Sequence, residues 1–109
     1  MLSVIVKGQY VALHSWKEAP SEVDFLRQSH RHVFHWVVGI EVKRSREIEF
    51  FDLKRFVANM IELNISPQDA GSCEEQAMII ARYVKKKYPK ASVFAEVWED
   101  NENGARVEE

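Results

Sequence analysis

The chain has little that would tie it to a membrane, a secretory route or a polyanion. Its 109 residues include one cysteine, Cys73, so an intramolecular disulfide is ruled out and a reducing compartment is expected. No apolar run approaches the roughly 20 residues that a membrane-spanning helix needs. The opening MLSVIVKG has an apolar stretch shorter than a signal-peptide core and no basic leader. A cytoplasmic soluble protein is therefore the expectation. A formal net charge of −2 gives no electrostatic reason to expect nucleic acid or an anionic membrane as partner. Internal repeats, low-complexity tracts and linkers are also missing. What remains is 46% apolar and 29% charged residues, the balance of a globular protein. The length fits one domain over residues 1–109.

Periodicity divides the chain. Residues 3–14 read as a strand, with Val4, Val6, Tyr10, Ala12 and His14 on one parity and Lys7 and Gln9 on the other. Residues 15–29 hold Pro20 and read as a long loop. Residues 30–43 carry the clearest alternation: Phe34, Trp36, Val38, Ile40 and Val42 face one way, and His35, Glu41 and Lys43 the other. A turn near Arg44 to Arg46 is expected to return the chain as a third strand, Glu47 to Phe51. Leu53, Phe56, Val57, Met60 and Ile61 then form a helical stripe, with Asp52 as a plausible N-cap. A second helix opens on SCEE, a capping box of Ser72 and Glu75, and stops at Pro89. Lys85, Lys86 and Lys87 fall in its last turn, where the helix dipole favours cations, so the basic run reads as structural. Ser92 to Glu99 alternates again, ahead of a polar tail. The expected class is α+β: a four-stranded antiparallel sheet, order β-β-β-α-α-β, with two helices on one face. Such a sheet has two free edges and an open face. Trp16, Trp36 and Trp98 are candidates to cover that surface in an oligomer.

Three of the four histidines lie within SHRHVFHW. His30 and His32 share a parity and stand roughly 6.5 Å apart along the strand, whereas His35 faces away. An H-x-H pair on a strand can clamp one metal ion, but it can equally be two exposed histidines at a strand end. His14 shifts the balance. If the first two strands pair antiparallel, the end of the first meets the start of the second, and His14 joins His30 and His32. Three imidazoles with one open position describe a catalytic rather than a closed structural zinc site. Glu99 is a second oddity, because its parity places a carboxylate in line with Val93 and Val97. It is either solvated where the strand ends or a carboxylate that anchors a ligand through paired N–H donors.

Over nearly its whole length the chain resembles the 6-pyruvoyltetrahydropterin synthase and 6-carboxytetrahydropterin synthase family of the tunnelling fold. VALHSW resembles the segment that ends in the family's first zinc histidine. SHRHVFHWVVGIEV resembles the H-G-H strand, with Arg31 for glycine. IEFFDLKRFV looks like the segment that carries Asp-Leu-Lys, and SCEEQA is similar to Pro-Thr-x-Glu-Asn. VFAEVWEDNENGARV looks like the closing strand with the pterin-binding glutamate. The resemblance implies zinc held by His14, His30 and His32, with Glu99 on the guanidine-like edge of a pterin-like ring. It further implies a lyase acting on the side chain of a dihydroneopterin triphosphate-like substrate, in pterin or queuosine-precursor biosynthesis. The implied assembly is a homo-oligomeric barrel, trimer or hexamer, with sites at subunit interfaces. The alternative is a catalytically inactive tunnelling-fold binding or assembly protein. The chain departs from the pattern in two places. FLRQS lacks the family's catalytic cysteine, and NISPQDAG lacks its Asp-His pair. Asp24, Asp69 and His35 are the candidates for replacement proton carriers, each with a solvated, non-functional reading beside it.

Overall fold

Strands β1 (Leu2–His14) and β2 (His30–Val42) pair antiparallel in a computed structural model that describes every residue from Met1 to Glu109. The register runs unbroken from Leu2 opposite Val42 to His14 opposite His30. With no bulge, side-chain parity is kept from one end of the ladder to the other. Val4, Val6, Ala12 and His14 are therefore buried on the same face as Phe34, Trp36, Val38, Ile40 and Val42. Gly8 is opposite Trp36, and a Cβ there would overlap the indole ring. Its missing side chain is what seats the tryptophan in the core.

Strands β3 (Val93–Glu99) and β4 (Asn103–Glu108) complete a four-stranded antiparallel meander in the order β1-β2-β3-β4. Helices α1 (Phe50–Asn64) and α2 (Cys73–Lys87) pack on the inner face, α1 against β1 and α2 against β3 and β4. The helical spacing of Leu53, Val57, Met60 and Ile61 brings all four into the core, as does that of Ala77, Ile80, Ala81 and Val84. Phe34, Ile40, Leu53 and Ile80 are essentially inaccessible, and burial of each stabilises the fold by about 1.5–3 kcal/mol. The capping box is present in full: the Ser72 hydroxyl accepts from the Glu75 N–H, and the Glu75 carboxylate accepts from the Ser72 N–H. No helix is long and apolar enough to cross a membrane.

Five local expectations are corrected. Glu47 to Phe51 is not a strand: Arg46 adopts a φ of 61°, and α1 begins at Phe50. The N-cap is Glu49, whose carboxylate accepts from the N–H groups of Phe51 and Asp52, while Asp52 pairs with Arg55. The polar tail supplies the missing strand instead. Asp100 and Asn101 take φ values of 49° and 64°, the left-handed pair of a hairpin turn, and send β4 back along β3. The element order is thus β-β-α-α-β-β. The segment expected as a long loop contains a short 3-10 helix, Ser21–Arg27, kinked at Val23. Finally, Trp36 lies in the core at 2% exposure rather than on the open face. Trp98 does occupy that face, donating to Glu96, and Trp16 is exposed.

Candidate metal centre

The ladder that builds the core also assembles the site. His14 is directly opposite His30, and His32 is opposite Ala12, one inward-facing step along. The three imidazoles form a near-equilateral triangle, with ring centroids 4.6, 5.0 and 4.9 Å apart and edges turned to faces. Phe34 lies beneath His14 and His32 at 5.2 and 5.7 Å as an apolar floor. One ligand atom from each histidine lies within 4.8 Å of the others, a spacing that fits a shared metal ion.

Each ring is held from behind. His14 Nδ1–H donates to the Gly71 carbonyl at 2.8 Å, His30 Nδ1–H to the Gln28 carbonyl at 2.8 Å, and His32 Nδ1–H to Asp100 Oδ2 at 2.7 Å. A carbonyl or carboxylate oxygen can only accept, so Nδ1 carries the proton in all three and Nε2 presents a lone pair. This is the arrangement in which a histidine ligates metal, with an oxygen fixing both tautomer and ring plane. His32 Nε2 is buried and has no hydrogen-bond partner. A buried orphan of this kind calls for an explanation, and a cation supplies one.

The supports have supports of their own. Gly71 has a φ of 84°, which suits glycine, and its carbonyl also accepts from Gln76 Nε2 at 3.0 Å. Gln76 is fully buried, and its Oε1 accepts from the Tyr10 hydroxyl. The segment between the helices is tied to the edge of β1 by Leu13 N–H to the Pro67 carbonyl and Ala70 N–H to the Leu13 carbonyl, at 2.8 and 2.9 Å. On the other side, Asp100 accepts from the Val33 N–H as well as from His32, and its own N–H donates to the Val33 carbonyl. The His32 and Val33 hydrogen bonds hold the Asp100 carboxyl below its ordinary range.

His14, His30 and Glu99 open onto a cleft of about 850 Å³, whose wall includes Trp16, Asp69 and Cys73, a size ordinary for small-molecule sites. Glu99 is not simply solvated. Its Oε2 lies 3.1 Å from His14 Nε2 and 3.9 Å from His32 Nε2. Asp69 is exposed on the cleft wall, so it shares the cavity. Asp24 sits exposed on the 3-10 helix, outside the cleft lining. His35 projects from the other face of the sheet, beside Lys7, Glu96 and Trp98. Neither is brought to the imidazoles. Cys73 is buried, and burial together with the Glu99 charge pushes its thiol up to about 12, so it is protonated at neutral pH.

Sequence reading missed the outer supports: Gly71, Gln76 and Asp100. An Asp immediately after Glu99 and ahead of Asn101 was a legible turn signal, whereas Gly71 acts through a carbonyl that no side-chain pattern marks. Comparison with protein-family models returned no match, and comparison with curated proteins returned none.

Proposed function

We propose that the chain is a zinc-dependent protein that binds a pterin-like ring in the cleft beside His14, His30 and Glu99. On this reading it acts on the side chain of a dihydroneopterin triphosphate-like substrate, in the manner of the synthase family it resembles. The observation that carries the reading is the convergence of three imidazoles, each pinned at Nδ1 by an oxygen, at the mouth of a cleft that also holds Glu99. Zinc there would supply Lewis-acid polarisation of a substrate oxygen. The Glu99 carboxylate suits the paired N–H donors of a guanidine-like ring edge. Of the three candidate proton carriers, Asp69 is the one that lines the cleft, and the reading gives it that role. Assembly as a trimer or hexamer, and a place in pterin or queuosine-precursor biosynthesis, belong to the same proposal through the resemblance.

A second reading, an inactive ring-binding or assembly protein, is favoured by the absence of an activated nucleophile. Cys73 is a neutral buried thiol, and Asp24 and His35 lie away from the imidazoles. One experiment tests both. Protein purified without a histidine tag is expected to carry zinc and to lose it on His32→Ala. Loaded protein is then incubated with dihydroneopterin triphosphate. Turnover supports the enzyme, and binding without turnover supports the inactive protein. Less than about one zinc per three chains, unaffected by His32→Ala, would sink the metal reading altogether.

A further inference from the structure

The carboxylate of Glu99 faces the wrong partner for an ordinary hydrogen bond. His14 Nδ1 gives its proton to the Gly71 carbonyl, so a neutral His14 turns a bare lone pair toward Glu99 Oε2 at 3.1 Å. Two acceptors at that distance repel unless a positive charge lies between or beside them. His32 repeats the problem at 3.9 Å, with Nδ1 committed to Asp100 and Nε2 orphaned. The candidates for that charge are a second proton on an imidazole or a metal ion. A proton on His14 would satisfy one contact and leave His32 Nε2 unpartnered. One metal ion shared by the three imidazoles satisfies the orphaned His32 Nε2 and sets a positive charge beside the carboxylate that faces His14 and His32.

The distances fit the second case. Bonds of about 2.0–2.1 Å around a tetrahedral zinc place neighbouring ligand atoms roughly 3.3 Å apart. The two Glu99 distances, 3.1 and 3.9 Å, bracket that value. Strand parity turns Glu99 inward, and its carboxylate makes no side-chain hydrogen bond there, so a partly buried charge is left for a cation to balance. We infer that Glu99 is the fourth protein ligand of the metal, and that the ligand-free protein has a closed site of three histidines and one glutamate. The three imidazoles are each tethered from behind, and Glu99 is not, so Glu99 is the ligand that can leave. A ring or substrate that claims this carboxylate takes it from the metal and opens the fourth position.

This inference rests on the metal reading proposed above, and the test separates the two. Wild-type, Glu99→Gln and Glu99→Ala proteins are stripped with a chelator and reloaded with one equivalent of cobalt(II), then of zinc. Wild-type is expected to give the intense visible bands of four-coordinate cobalt and to resist added azide. Both variants are expected to show weaker, shifted bands that azide alters. Zinc affinity should fall at least tenfold, since loss of even an outer partner of a metal-bound histidine costs about 10–100-fold. Glutamine matches the shape of glutamate, and circular dichroism of the stripped proteins checks that each variant folds. Unchanged bands and zinc affinity in both folded variants would overturn the role of Glu99 while leaving the three-histidine site standing. Failure of wild-type to take up either metal would overturn both.

Discussion

At the scale of single residues, the decisive groups are those that hold the imidazoles. Asp100 is the sharpest test, because it commits one oxygen to the His32 ring and the other to the Val33 N–H. In Asp100→Asn the amide can offer only one acceptor oxygen to these two donors. If its NH2 group turns to His32, Nδ1 must become the acceptor and Nε2 takes the proton, which removes the ligating lone pair. Asparagine tolerates the φ of 49° at this turn, so the fold should be retained. Zinc affinity is expected to drop about 10–100-fold with little change in urea midpoint, measured by competition with a coloured chelator and by denaturation. A similar loss of both quantities would mean that Asp100 serves the hairpin rather than the histidine.

At the scale of elements, the capping box offers a clean contrast with the core. Ser72→Ala removes the acceptor for the Glu75 N–H and is expected to cost about 1 kcal/mol, read by denaturant unfolding. The adjacent Gly71 carbonyl is part of the His14 support, so zinc affinity should weaken in the same variant. Strand parity was the most legible feature of the sequence, because a period of two survives wherever a ladder has no bulge. It puts His14, His30, His32 and Glu99 on one face, as the paired ladder does. Alternation failed at Glu47 to Phe51, where a carboxylate caps a helix and Phe50 and Phe51 are left exposed. The β4 strand hid in a polar tail because an edge strand buries little: only Ala105 and Val107 pack against the core. Gly71 and Asp100 were illegible as supports for a different reason. Their contributions depend on left-handed backbone conformations and on contacts 57 and 68 residues away in sequence.

At the scale of the whole molecule, the centre draws its imidazoles from two strands, its neighbouring carboxylate Glu99 from a third, and its supports from the β1–β2 connection, the inter-helix segment and the β3–β4 turn. No local fragment contains the site, so an unfolded chain cannot present it. A ligand that binds only the folded state stabilises it by mass action, about 2.7 kcal/mol at a free concentration one hundred times its Kd. For a domain of this size that raises the Tm by on the order of 10 °C. Calorimetry with and without excess zinc should show the rise in wild-type and lose it in His32→Ala. An equal rise in both proteins would place the zinc somewhere else. The bulge-free pairing of β1 with β2 also constrains the history open to this chain. It works like a reading frame: one residue inserted within β1 turns every side chain beyond it to the other face, so His14 and the apolar residues after the insertion leave the interior together. Substitution between residues 2 and 14 leaves that frame intact, whereas a residue gained or lost there costs core and centre together unless a bulge absorbs it.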